Sequence, residues 1–207
     1  MKFWGRGEAI FATRQRAMQI RDAILADFDQ ITAIYNEIVL TSTAIYNDEP
    51  ATPDERIAWW KSRCASGFPV MVATRKHVEE DGQTKQAESI LGFASYGQFR
   101  SWPGYRYTVE GTVHVRSSSR GRGVGKALLD ELVRRARGMG MHIMIAGVDA
   151  GNAASLKFLE GFGFEQVALL PEVGFKFGRF LDLVFLQFRL TPTRGSEAPT
   201  RGACDGD

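Results

Sequence analysis

The 207-residue chain has two cysteines, Cys64 and Cys204, and no CxxC pair. That excludes a disulfide framework and a thiolate metal site. Its three histidines, His77, His114 and His142, lie far apart without the spacing of metal ligands, so no metal is expected. No apolar run approaches the length needed to span a bilayer, so no membrane partner is expected. Neither sign of charge dominates: 26 Lys and Arg face 24 Asp and Glu, a formal net charge of +2. No stretch interleaves dense basic and aromatic residues, so nucleic acid is not an expected partner either. The expected compartment is reducing and cytoplasmic.

Within 1–18 the chain is Arg-rich, with Glu8 the only acid. This reads as a flexible N-terminal extension; an organelle-targeting segment is the minor alternative. The tail 191–207 is polar, rich in Gly and Pro, and expected to be disordered. Between them, 19–190 reads as one α/β (α+β) domain in which strands and helices alternate and strands finish the chain. Met18–Ile24 reads as a strand and Asp27 as a helix cap, with Phe28, Ile31, Ile34, Tyr35 and Ile38 at helical spacing. Thr52, Pro53 and Glu55 form an N-cap, first-turn proline and capping box for a second helix. Val70–Thr74 and Ile90–Tyr96 read as paired strands around a charged loop, and Tyr105–Arg116 as a long strand. A helix over 126–137 carries Leu128, Leu129, Leu132 and Val133 on one face. Asp130–Arg134 and Glu131–Arg135 are its expected i,i+4 pairs. Ile143–Val148, Phe164–Leu170 and Leu181–Leu190 read as strands, with a short helix over Asn152–Glu160.

The stretch "RGRGVGKALL", Arg120–Leu129, places three glycines and a basic cluster before a helix. It is not a Walker A loop. Arg120 stands where the first glycine belongs, and Ala127 where the hydroxyl belongs. The spacing Gly121, Gly123, Gly125 also misses the dinucleotide fingerprint, whose third glycine falls on Lys126. What remains is Arg-x-x-Gly-x-Gly between a strand and a helix. Inward N–H groups, close backbone approach and the helix dipole suit an anion. A glycine-rich turn with no ligand would have the same sequence.

Arg-x-x-Gly-x-Gly after a strand resembles the acyl-CoA signature of the GNAT N-acetyltransferase superfamily, and "NAASLKFLEGFGF" resembles its second cofactor segment. "IYNEIVLTSTAIYNDEPAT", "FASYGQFRSWPGYRYTVE" and "LLPEVGFKFGRFLDLVFLQFRL" resemble the phosphinothricin and methionine sulfoximine/sulfone acetyltransferases. The resemblance runs from about Ile20 to Leu190. It implies the GNAT fold: a mixed, mostly antiparallel central sheet splayed in the middle and flanked by helices. It implies acetyl-CoA as co-substrate, a small-molecule amine as acceptor, and a homodimer. By the same resemblance, Val113, His114 and Val115 would pair with the pantetheine arm. Arg120, Gly121, Arg122, Gly123, Val124, Gly125 and Lys126 would cradle the pyrophosphate, and Asn152 and Ser155 would contact the cofactor.

Acetyl transfer needs a base for the amine, a donor for the oxyanion and an outlet for the thiolate. Glu110 falls on the family's base, and strand alternation puts it on one face with Thr112 and His114. A backbone N–H near His114 is the expected oxyanion donor. His114 itself stands where the family usually has Tyr, and reads as packing or cleft lining. Phe99, Arg100, Trp102, Tyr105 and Arg106 are the acceptor candidates: arginine forks suit carboxylate and sulfone or phosphinate oxygens, and aromatics suit a methylene chain. "GFKFGRFLD", Gly174–Asp182, resembles a second family loop near the acceptor end, in which Lys176 and Asp182 are structural or dimer contacts. Leu159 stands where the family commonly has a proton-donating His, and the adjacent Glu160 points about 100° away. Other amines, such as a polyamine or a protein N-terminus, are an alternative acceptor class. A weakly catalytic acyl-CoA-binding module is an alternative of another kind.

Overall fold

The computed structural model describes residues 18–76 and 88–191. The N-terminal extension, the loop after Lys76 and the tail expectations fall outside the described residues. Seven strands and four α-helices follow in the order β1 (Gln19–Asp22), α1 (Phe28–Thr41), α2 (Pro53–Ala65), β2 (Val70–Lys76), β3 (Glu88–Gln98), β4 (Thr108–Val115), α3 (Val124–Gly138), β5 (Ile143–Asp149), α4 (Ala153–Phe162), β6 (Glu165–Lys176) and β7 (Arg179–Arg189). The strands hydrogen-bond in the order β1-β2-β3-β4-β5-β7-β6. β4 and β5 run parallel, whereas β1–β2, β2–β3, β5–β7 and β6–β7 are antiparallel. The mixed, mostly antiparallel sheet is the one expected.

Contacts divide the chain into two compact units. The first comprises the described parts of 1–37, 50–95 and 113–129; the second comprises 38–49, 96–112 and the described part of 130–207. β3, β4 and α3 pass along the chain from one unit to the other.

The first unit packs Phe28, Ile31 and Ile34 of α1, Met71 and Val72 of β2 and Phe93 of β3 to 1% exposure or less. Each such burial contributes about 1.5–3 kcal/mol. The start of α2 forms as its sequence dictates. Thr52 Oγ1 accepts the Glu55 N–H at 3.3 Å, and Glu55 accepts the Thr52 N–H at 2.7 Å. Asp27 acts differently from expectation. Its carboxylate accepts the N–H of Ile24 at 2.8 Å and pairs with Arg21 at 2.7 Å, closing a short 3-10 turn, Leu25–Asp27, before α1.

In the second unit, β5 carries Met144, Ile145, Ala146 and Val148 into the core beside Val184 and Leu186 of β7. On α3 the surface pairing is Glu131 with Arg134 at 2.6 Å and with Arg135 at 2.9 Å. Glu131–Arg135 is the expected i,i+4 pair, and Arg134 adds a fork to both Glu131 oxygens three residues away.

"GFKFGRFLD" is not a loop. It is the tip of the β6–β7 hairpin, turned by Phe177 and Gly178 with φ of 50° and 74°. Two consecutive left-handed residues make the tight turn that matches strand twist. Lys176, one residue before that turn, is 0% exposed. Its ammonium donates to the carbonyls of Val39 (2.6 Å), Ser42 (2.9 Å) and Ile45 (2.7 Å). Three donors thus meet carbonyls at and just beyond the C-terminus of α1, where a positive charge is favoured. Of the two expected roles for Lys176, the structural one is observed.

Candidate active site

In the first unit, the end of β4 and the glycine loop lie in sequence along one stretch. Arg116 fastens that end of β4. Its N–H donates to Leu91 O at 2.9 Å and its Nε to Ile90 O at 3.0 Å. A short 3-10 turn, Ser117–Ser119, follows. Arg120 then donates through its N–H to Ser117 O at 3.2 Å and through Nε to Val115 O at 3.3 Å. Gly121 and Gly123 sit at φ 70° and 79°, where a side chain is strained, although a Cβ at either would touch nothing within 4 Å. The glycines are there for the backbone path, and the space above them is open.

α3 begins at Val124 with no acid in its first turn. Its first intrahelical bond runs from Ala127 N–H to Gly123 O at 3.0 Å. The N–H groups of Val124 and Gly125 precede that bond and lack an intrahelical acceptor by helix geometry. Arg120, Arg122 and Lys126 are exposed around them. Open space, donors and excess positive charge fit a pyrophosphate.

His114 packs its ring 5.0 Å from that of Phe93, which is 1% exposed. This is the packing role expected for it. Its carbonyl lies where a side chain on Gly92 would go, 2.6 Å from the Cβ position, so only glycine fits there. Burial, then the charges of Arg56 and Arg120, push the His114 pKa down to about 4. Below pH 6.5 the unfolded chain therefore takes up a proton that the folded one refuses. The stability contribution is full above pH 6.5 and is lost as pH falls towards 4, by about 2 kcal/mol given partial exposure. His114→Phe keeps a ring against Phe93 and removes this titration. Denaturant unfolding across pH 4–7 is expected to show a flatter acid limb in the variant; an equally steep one would place the loss elsewhere.

In the second unit, Glu110 lies on β4 opposite Ile145 of β5. A Cβ built on Gly147 would lie 3.5 Å from Glu110 Oε1, 3.4 Å from Leu183 Cδ1 and 3.5 Å from Phe185 Cε1. Gly111 faces the other way: a Cβ there would meet Met144 Sδ at 3.1 Å and Leu132 Cδ2 at 3.2 Å. Strand alternation thus sends the Glu110 side chain away from the packed α3 face.

Three acceptor candidates come together and two do not. Phe99 sits edge-on to Tyr105 (5.9 Å) and to Phe185 (6.0 Å), with the Arg100 guanidinium 4.9 Å from its ring. Arg106 instead donates to Pro103 O at 3.1 Å and covers Tyr107, because a 3-10 turn at Pro103–Tyr105 shortens the expected strand. Trp102 stands apart at 73% exposure.

Asn152 caps α4, its side-chain oxygen accepting the Ser155 N–H at 3.1 Å. That cap leaves the Asn152 amide donors outside the helix bond. Leu159 is the buried residue of α4, at 8% exposure.

Sequence reasoning missed Gly147, Leu183 and Phe185, and also the segment after α1. There Thr43 Oγ1 bonds the buried Asp149 carboxylate, and Tyr46 donates to Asp182 O at 3.2 Å. Burial, with Asp149 and Asp182 nearby, pushes the Tyr46 phenol above its ordinary pKa. The parity of Leu183 and Phe185 on β7 was the available signal. Their partners come from strands distant in sequence.

Comparison with known proteins fits this arrangement. The profile of the acetyltransferase (GNAT) family matches residues 31–164, and the chain belongs to that family, a class of acetyltransferases. It is 45% identical over 177 residues to an L-methionine sulfoximine/L-methionine sulfone acetyltransferase of Pseudomonas aeruginosa, covering 86% of this chain and 97% of that one. An acetyltransferase of Salmonella typhimurium solved with acetyl-CoA matches with a TM-score of 0.76 and 42% identity, over 88% of this chain and 99% of that one. A phosphinothricin acetyltransferase of Sinorhizobium meliloti, also with acetyl-CoA, matches with a TM-score of 0.79 and 33% identity, over 91% and 96%.

Among the described residues no group of three His, Cys, Asp or Glu side chains could hold a metal ion. Nor is any described helix long and apolar enough to cross a membrane.

Proposed function

We propose that this chain moves an acetyl group from acetyl-CoA to the α-amino group of a small amino acid of the methionine sulfone, methionine sulfoximine or phosphinothricin type. The observation that carries the reading is Glu110, whose carboxylate borders the open surface over Gly147 on the same strand that continues into Val113–Val115. Acetyl-CoA supplies an activated acyl carbon and a thiolate leaving group. The chain's own residues do the rest. Arg120 to Lys126 hold the pyrophosphate, Val113 to Val115 pair with the pantetheine, and Asn152 and Ser155 contact the cofactor. Glu110 takes the proton from the acceptor ammonium, directly or through water. The nitrogen lone pair then forms the N–C bond as the C–S bond breaks, and the second nitrogen proton passes to water to leave the neutral amide. A backbone N–H near His114 donates to the carbonyl oxygen.

Leu159 offers no proton, so the thiolate departs into water. That is tolerable for a CoA thiolate near neutral pH. Phe99, Tyr105 and Arg100 line the acceptor side, Arg100 offering a planar fork to its acidic oxygens. Homodimerisation is proposed on the relatives' resemblance, and the exposed Val173, Phe175, Phe177 and Phe180 of the β6–β7 hairpin support it.

Purified protein given acetyl-CoA with methionine sulfone, methionine sulfoximine, phosphinothricin, spermidine or a short peptide is expected to release free thiol with the amino-acid analogues. Preference for spermidine or the peptide would favour the other-amine reading. CoA binding without turnover would favour the binding module, for which Leu159 is the supporting feature.

A further inference from the structure

Gly147 is a glycine that neither its backbone nor its packing requires. It lies within β5, between buried Ala146 and Val148, yet is itself exposed. Its φ is outside the left-handed region, and the nearest atoms to a Cβ there are 3.4–3.5 Å away, ordinary contact distance. Gly92, Gly111 and Gly174 differ: a side chain there would meet the His114 carbonyl at 2.6 Å, Met144 at 3.1 Å, or the Tyr46 ring. A strand interior ordinarily favours a β-branched residue, and glycine weakens it. What glycine leaves at 147 is a bare patch of strand bordered by the Glu110 carboxylate, the Leu183 methyl and the Phe185 ring edge. Phe185 in turn abuts Phe99.

We propose that Gly147 sets acceptor size: the missing side chain makes the floor on which the acceptor's first methylenes lie while its amine faces Glu110. The walls are apolar, so the floor suits an unbranched aliphatic stretch next to the α-carbon. The polar end of the acceptor lies further out, towards Arg100. This rests on the N-acetyltransferase reading above and adds the residue that selects side-chain length.

The test compares wild type with Gly147→Ala and Gly147→Val on alanine, 2-aminobutyrate, norvaline and methionine sulfone. Gly147→Ala is expected to keep its fold and Tm, since the new Cβ sits at contact distance, and both variants are expected to keep the KM for acetyl-CoA. For methionine sulfone, kcat/KM is expected to fall about tenfold in Gly147→Ala and about 100-fold in Gly147→Val, the range that one or two methylenes command in an apolar pocket. The loss should shrink as the acceptor shortens, so the variants shift preference towards alanine. An equal loss for every acceptor, no loss, or failure of both variants to fold would overturn the inference while leaving the N-acetyltransferase reading intact. Wild type inactive on all four would overturn both.

Discussion

Glu110→Gln is expected to lower kcat on methionine sulfone by about 10²–10⁴, the range that a placed proton-transfer group supplies. That corresponds to about 3–5 kcal/mol of barrier. Glutamine keeps the shape of the side chain beside Gly147 but cannot accept the ammonium proton. The rate should therefore keep rising with pH towards the pKa of the acceptor amine, the variant depending on amine already deprotonated in solution. Affinity for CoA should hold, because Arg120–Lys126 and the turn before them are fastened by bonds to Ser117 and Val115 in which Glu110 has no part. An unchanged rate and profile would remove Glu110 as the base.

Lys176→Met is expected to cost about 3–5 kcal/mol of stability, the scale of leaving one buried and two part-buried carbonyls without their charged donor. For a chain of this size that is a fall in Tm of roughly 10 °C. Methionine fills nearly the same volume, so the loss isolates the polar part: the carbonyls of Val39, Ser42 and Ile45 keep their burial and lose their donor. The segment released is the one that holds Thr43 against Asp149 and Tyr46 against Asp182. Thermal melts followed by circular dichroism check it, and a Tm within 2 °C of wild type, which for this size means under about 1 kcal/mol, would show the cage to be dispensable.

The parts of the fold written in local chemistry were legible. Thr52-Pro53-Glu55 forms its capping box because each bond spans three residues. The glycine loop opens α3 because Gly121 and Gly123 adopt the positive φ that their type allows. Features that depend on distant partners were not legible. "GFKFGRFLD" has none of the Asn-Gly or Asp-Gly pairs that announce a tight hairpin, so its turn at Phe177–Gly178 could not be seen. Asp27 looked like a helix cap, but Arg21 on β1 and the Ile24 N–H take up its carboxylate.

The candidate site divides in the same way. The place of Glu110 on a strand was legible, while its neighbour Gly147 was not, because the β4–β5 register joins residues 35 positions apart, Glu110 with Ile145. Arg106 fell among the acceptor candidates by its neighbours in sequence, and the Pro103–Tyr105 turn folds it back on itself. Leu159, conspicuous as a missing proton donor, is the apolar anchor of α4. A histidine there would set a polar ring in a buried position, at a cost unless it found a partner.

The proposed reaction is direct transfer of acetyl from the thioester to an α-amino nitrogen. Its most direct test is NMR of the products after incubation with ¹³C-acetyl-CoA and methionine sulfone. Label is expected in an amide on the α-nitrogen of methionine sulfone, equal to the thiol released, with none retained on the protein. Label held by the protein, or thiol released with no acetylated amino acid, would contradict it.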